Sequence, residues 1–141
     1  MLVLQSNIVI MNIGELSKQT NVSKVAIRYY ENMNLIQSIR QGNGYRYFNE
    51  EAKQRIIFIK NAQNLGFDLK EIRDFFNLEL LNSGSYHIKN KIQKQQHKIK
   101  EKISKLKSLE CVLSELDRAC DGKMETKDCP ILQKLYWAAK N

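Results

Sequence analysis

The sequence predicts a mostly α-helical chain. A winged helix-turn-helix DNA-binding domain is followed by a long dimerisation helix, then by a short C-terminal loop and helix. Three observations carry this expectation. Two short amphipathic segments are joined by a polar turn at residues 19–23. An uninterrupted stretch over residues 86–118 repeats apolar residues every seven positions. One Pro and six Gly leave few breakers, which favours long helices over a many-turned β-fold.

The elements follow in order. Asn12 and Glu15 have the spacing of an N-cap with a carboxylate at the third helical position. Ile13 and Leu16 begin an apolar stripe. Asn21 tolerates the left-handed backbone that a tight helix-to-helix turn requires. Ser23 caps a second helix carrying Val25, Ala26, Ile27, Arg28, Tyr29 and Tyr30. The pair makes a helix-turn-helix pattern. Asn43-Gly44, between Ile39 and Tyr45-Arg46-Tyr47-Phe48, is a hairpin signal and gives a small wing. Asn49 caps a third helix that runs to about Leu65 and stops at Gly66. Asp68 with Glu71 opens a fourth, carrying Leu69, Ile72, Phe75 and Phe76.

Ile92, Ile99, Leu106 and Leu113 then recur every seven residues, with a weaker seam at Gln95, Lys102, Leu109 and Leu116. The helix would be about 50 Å long at about 1.5 Å per residue. It has one apolar stripe and no layer of equal length in the chain to cover it. A coiled coil with a second copy is therefore expected. Lys89, Lys91, Lys94, Lys98, Lys100, Lys102, Lys105 and Lys107 crowd this helix and read mainly as a solvated face, with DNA contact the lesser reading. Cys111 is expected as a small buried thiol, and His97 as a solvated or interface residue. Pro130 suits the first position of a short helix through Leu135, and the apolar run Leu135-Tyr136-Trp137 is expected to pack.

The chain of 141 residues has 23 Lys and Arg against 15 Asp and Glu, for a net charge of +8. That balance suits a polyanionic partner, nucleic acid foremost, and is equally compatible with a charged soluble surface. Three cysteines make an odd number and no disulfide framework. The apolar opening lacks a basic region and a small-residue cleavage site, and it is too short to span a bilayer. A cytoplasmic protein without membrane contact is expected. The length excludes a large multidomain enzyme. The lack of Cys-x-x-Cys and of a βαβ pattern argues against a thiol oxidoreductase, so no enzyme is expected. Residues 1–10 read as a disordered or artefactual extension, 11–81 as the DNA-binding domain, 86–118 as the dimerisation helix and 119–141 as the effector loop and helix.

Two groups of residues carry chemistry. On the second helix, Lys24 and Arg28 reach phosphates or base edges, and Tyr29 and Tyr30 can donate to phosphates. Tyr30 is equally a core candidate. Arg46, flanked by Tyr45 and Tyr47, is a second anchor on the wing. The other group is Cys120 and Cys129, separated by an eight-residue loop that lets both sulfurs turn back on one ion. A helix start after Cys129 favours its thiolate, the ligand form. On spacing alone, a metal pair and two ordinary cysteines both stand, because zinc motifs use closer pairs.

Together, Ile13-Gly14-Glu15-Leu16, Val22-Ser23, Ile27-Arg28-Tyr29-Tyr30-Glu31, Leu35-Ile36, Asn43-Gly44-Tyr45-Arg46 and Leu65-Gly66-Phe67 resemble the MerR family of bacterial transcription regulators. The resemblance runs from Met11 through essentially the whole chain. It implies a homodimer joined by an antiparallel coiled coil and bound to a pseudo-palindromic promoter site in double-stranded DNA. An effector-bound dimer would then distort the DNA so that RNA polymerase can use the promoter. The family often has arginines where Lys60 and Gln63 stand. Lys60 keeps the charge and is expected to contact phosphate, whereas Gln63 cannot replace an ionic contact.

Ala119-Cys120 and Cys129-Pro130-Ile131-Leu132 resemble the effector loop of the metal-sensing members. The resemblance implies a soft or borderline ion, Cu(I) or Ag(I), or Zn, Cd, Hg or Pb(II), on Cys120 and Cys129. Loop length leans toward the divalent members. Ile88 stands where those carry a third cysteine from the partner, which leans toward a two-sulfur site for a monovalent ion. His87, from the other subunit, is a candidate substitute ligand, and a surface histidine at a helix start is the competing reading. The same DNA-binding module sensing thiol oxidation or an electrophile through the two cysteines is the alternative.

Overall fold

The computed structural model describes residues 9–138. The expected extension at residues 1–10 lies outside the described residues except for Val9 and Ile10. The described chain divides between Ile88 and Lys89 into two compact units.

The first unit opens with α1 (Ile13–Thr20) and α2 (Lys24–Asn32). Asn12 and Glu15 form a reciprocal capping box, in which the Glu15 N–H donates to Asn12 Oδ1 at 2.8 Å. Asn21 takes the left-handed backbone at φ 56° and turns the chain. Ser23 caps α2 by accepting from the Ala26 N–H at 3.1 Å. The wing is an antiparallel pair, β1 (Ile39–Arg40) on β2 (Arg46–Tyr47), with Ile39 opposite Tyr47 and Arg40 opposite Arg46. Its turn is held by the Gly44 N–H donating to the Gln41 carbonyl at 2.9 Å, and Gly44 sits at φ 83°. That positive φ explains the glycine.

Helix α3 (Glu50–Asn64) is capped by Asn49, and α4 (Leu69–Leu81) by an Asp68–Glu71 capping box. Between them the chain turns through Gly66 at φ 92°. The Gly66 N–H donates to the Gln63 carbonyl and the Phe67 N–H to the Ala62 carbonyl. This is the Schellman arrangement, which satisfies carbonyls that the helix end leaves open. Gly66→Ala should therefore lower unfolding free energy by about 1–2 kcal/mol in chemical denaturation, the strain of a Cβ in left-handed backbone. An unchanged midpoint would contradict it.

Leu16 of α1, Ile27 and Tyr30 of α2, Ile56 and Ile59 of α3, and Ile72, Phe75 and Phe76 of α4 meet in one core with Leu35, Ile36 and Phe48. Phe48 closes the wing side. Its backbone bridges Met11 through two hydrogen bonds of 2.8 and 2.7 Å, and its ring is 1% exposed. Met11 is likewise buried, so the residue just before the α1 cap belongs to the core.

The second unit contains most of α5 (Tyr86–Arg118), a single 3-10 turn at Thr126–Asp128, and α6 (Pro130–Ala138). The apolar stripe of α5 is open in the single chain: Ile99 is 43% exposed, Leu106 64% and Leu113 65%. Cys111 is exposed, which corrects the expectation of a buried thiol. It stands five residues after Leu106, at the outward position of the heptad. Helix α6 runs three residues beyond Leu135, because nothing after Pro130 breaks it. Leu135, Tyr136 and Trp137 are largely exposed in the single chain. No described helix is long and apolar enough to cross a membrane.

Candidate DNA-binding surface and candidate metal centre

The burial pattern of α2 separates two faces. Ile27 and Tyr30 point into the core, while Lys24, Val25, Arg28 and Tyr29 form a contiguous exposed face. Tyr30 resolves as a core residue. Its hydroxyl donates to Gln63 Oε1 at 3.2 Å, and burial pushes its pKa up. Gln63 thus acts as a structural acceptor for α2.

The wing residues Tyr45 and Arg46 are exposed and Tyr47 is partly buried. Asn43 shapes the turn: its Oδ1 accepts from the Tyr45 N–H at 3.0 Å, and its amide donates to the Tyr47 hydroxyl at 3.5 Å. Arg46 donates to Glu31 Oε1 at 2.9 Å, and Ser38 donates to the other carboxylate oxygen. Glu31 lies in the last turn of α2, so this ion pair ties the wing to the exposed helix. Lys60 donates to the Thr20 carbonyl at 3.5 Å, placing an ammonium at the C-terminal end of α1. Sequence reasoning missed Glu31, Ser38 and the role of Gln63. The available signal for Glu31 was a lone carboxylate directly after Tyr29-Tyr30, opposite a basic hairpin.

In the second unit, α5 ends at Arg118, and Gly122 at φ 81° turns the chain just beyond Cys120. The Gly122 N–H donates to Cys120 Sγ at 3.4 Å. The 3-10 turn returns the chain to Cys129, which directly precedes Pro130 at the start of α6. Both thiols are free, and the Cys120 side chain lies near enough to Cys129 to be one of the groups that lower its pKa. The Cys129 thiol is held below its ordinary pKa. The Leu132 N–H contributes most, partial desolvation opposes it, and the Ile131 N–H and the Cys120 side chain add to the lowering. These two N–H groups are donors that the first helical turn leaves open, which is why a helix start favours a thiolate.

A paired thiol–thiolate at a loop closure fits a thiophilic ion. No group of three or more His, Cys, Asp and Glu side chains comes together among the described residues. His87 stands at the start of α5, exposed, with its ring against that of Tyr86 at 5.6 Å. One chain therefore supplies two sulfurs and no third ligand of these types among the described residues.

The lowered pKa gives a pH prediction. With Cys111 replaced by serine, iodoacetamide should modify Cys129 with a midpoint below the ordinary thiol range. The additional change Cys120→Ser should move that midpoint up, because one of the causes of the lowering is removed. A midpoint at the ordinary value in both would contradict the geometry. Ion affinity should fall as pH drops through the Cys129 pKa, since the proton then competes for the sulfur.

An exposed basic and aromatic helix face beside a two-stranded wing defines a DNA-binding regulator of the winged helix-turn-helix class. Residues 11–79 match the MerR HTH family regulatory protein model, and residues 53–116 match the model described as MerR, DNA binding. The chain belongs to the MerR family, whose members are DNA-binding transcription regulators and not enzymes. It is 36% identical over 126 residues to the HTH-type transcriptional regulator HmrR of Rhizobium leguminosarum bv. viciae, covering 89% of this chain and 97% of that protein. The transcription regulator PbrR691 of Ralstonia metallidurans CH34, solved in complex with lead(II), is similar at TM-score 0.81 and 30% identity, covering 89% and 98% of the two chains. The regulator MerR of Bacillus megaterium MB1, solved with a mercury(II) ion, is similar at TM-score 0.70 and 30% identity, covering 89% and 99%.

Proposed function

We propose that this chain is a metal-responsive transcriptional activator. It acts as a cytoplasmic homodimer on a pseudo-palindromic promoter site, through residues 11–81 of each copy, with RNA polymerase as its partner there. Lys24, Arg28 and Tyr29 meet the duplex from α2, and Tyr45, Arg46 and Tyr47 meet it from the wing, with Lys60 as a phosphate contact. The open stripe of α5, with Ile99 and Leu113 in solvent, supports pairing through residues 86–118. Residues 119–141 are the effector segment.

The observation that carries the metal reading is the meeting of the Cys120 and Cys129 thiols at the start of α6, with Cys129 biased toward thiolate. Both are candidate ligands for Cu(I), Ag(I), or Zn, Cd, Hg or Pb(II). His87 of the second copy is the candidate third donor for a divalent ion. When bound, the ion would neutralise the sulfurs and fix the loop closed. Coupling to DNA requires that the ion bind one conformation of the dimer better than another.

The same juxtaposition also suits a thiol pair that oxidises to a disulfide. Titrating the reduced protein with each ion under anaerobic conditions separates the readings. The metal reading expects a thiolate-to-metal absorption band saturating at one ion per sulfur pair, and metal-dependent transcription. Transcription induced by an oxidant and by no ion would overturn it. His87→Ala should weaken a divalent ion by about tenfold or more and leave a monovalent ion unchanged, because two sulfurs suffice for the latter.

A further inference from the structure

The basic excess of this chain does not sit on its helix-turn-helix. Residues 11–81 hold ten Lys and Arg against eight Asp and Glu. Between Lys89 and Lys107, eight lysines meet one acid, Glu101. Nearly all of the net +8 therefore lies on the first two-thirds of α5.

Five of these lysines are ordered in a line. Lys91, Lys94, Lys98, Lys102 and Lys105 follow one another at steps of three and four residues, so they share one side of the helix. The line extends over about 21 Å at about 1.5 Å per residue. Lys94, Lys98, Lys102 and Lys105 are exposed, and Lys91 is partly so. Like charges at these spacings destabilise a helix. A polyanion laid along the line would reverse that effect.

We propose that this lysine stripe of α5 is a second, sequence-independent contact for duplex DNA, separate from the surface of α2 and the wing. Charge complementarity selects the occupant. A DNA strand carries a phosphate about every 3.4 Å along the axis, so a line of about 21 Å faces roughly six of them. Lysine is a compact charge on a flexible stem, which suits phosphates met without fixed geometry. A regulator already holding its operator also keeps neighbouring duplex at high local concentration. The stripe lies to one side of Ile92, Ile99 and Leu106 and borders the weaker seam: Lys102 falls in that seam, and Lys91, Lys98 and Lys105 stand four residues before Gln95, Lys102 and Leu109. The proposal rests on the family's DNA binding and not on the metal reading.

The test uses the full chain and a random 40-base-pair duplex, titrated by fluorescence anisotropy between 50 and 200 mM salt. The variant K94Q/K98Q/K105Q removes three charges per copy while keeping helix propensity and leaving Lys102 in place. It should bind at least about tenfold more weakly at low salt. Its slope of log affinity against log salt should be shallower by about 2 or more, given about 0.9 for each phosphate no longer neutralised. The charge-keeping variant K94R/K98R/K105R should bind as the parent does, with sedimentation confirming the same oligomeric state for all three proteins. As a separate arm, Arg28→Ala should reduce preference for promoter DNA over random DNA while keeping the stripe's share of the salt slope. Unchanged affinity and slope in the glutamine variant would overturn the proposal, and the Arg28 arm would still report on the helix-turn-helix. Unchanged DNA binding together with weakened binding to RNA polymerase would also overturn it, assigning the stripe to an acidic protein surface.

Discussion

Cys129→Ser is expected to weaken binding of a thiophilic ion by at least about 100-fold and to abolish metal-dependent transcription. A serine hydroxyl stays protonated at neutral pH and is a hard, weak ligand, so one of two sulfurs is removed outright. Structural zinc on four ligands is held by roughly 10–16 kcal/mol, about 3 kcal/mol per ligand, which is about two decades in affinity. Cys120→Ser should do at least as much. It removes the other sulfur, the acceptor of the Gly122 N–H, and one of the groups that lower the Cys129 pKa. Cys111→Ser should change nothing, since that thiol is exposed on α5 at an outward heptad position. Competition titration against a chelator of known affinity measures all three. A change within about threefold for Cys129→Ser would place the effector elsewhere.

The second large effect is on stability. Phe48→Ala should cost about 3–5 kcal/mol, the range for a large aromatic removed from a packed core. Phe48 is 1% exposed, and its bridge to Met11 joins the residues just before α1 to the segment between the wing and α3. Its backbone bridge to Met11 survives the substitution, but the ring that fills the space behind the wing does not. In a unit of this size that change should lower Tm by more than about 10 °C. DNA affinity should fall with it, because Tyr47 and Arg46 immediately precede Phe48. Thermal unfolding followed by circular dichroism gives the number. A destabilisation below about 1 kcal/mol, well under the range for such a truncation, would mean that the cavity collapses or that Phe48 is not packed as described.

What the sequence revealed and what it hid follow one physical line. The caps at Asn12, Ser23, Asn49 and Asp68, and the left-handed turns at Asn21 and Gly66, were legible because each is decided within about four residues. The two sulfurs were legible as a pair because the loop and the helix start are local. Contacts between distant elements were not. The Arg46–Glu31 pair spans 15 residues, Tyr30–Gln63 spans 33 and Lys60–Thr20 spans 40. No periodicity announces such pairs. Gln63 looked like a missing arginine and is instead a partner for a buried hydroxyl. Cys111 was misread by residue type, although its own heptad position pointed outward. The long helix and the lysines that crowd it were legible, but reading them mainly as a solvated face passed over the fact that nearly all of the net charge lies there.

Coupling between the sulfurs and the duplex is tested most directly by footprinting the promoter with a reagent that reports unstacked bases. The dimer is bound with and without the ion that it holds most tightly, and the C120S/C129S variant is run alongside. Enhanced reactivity at the centre of the site is expected only when the ion is present, and in the double-serine variant it should be absent while the flanks stay protected. Equal distortion with and without the ion, or unchanged distortion in the variant, would contradict metal-driven regulation by this chain.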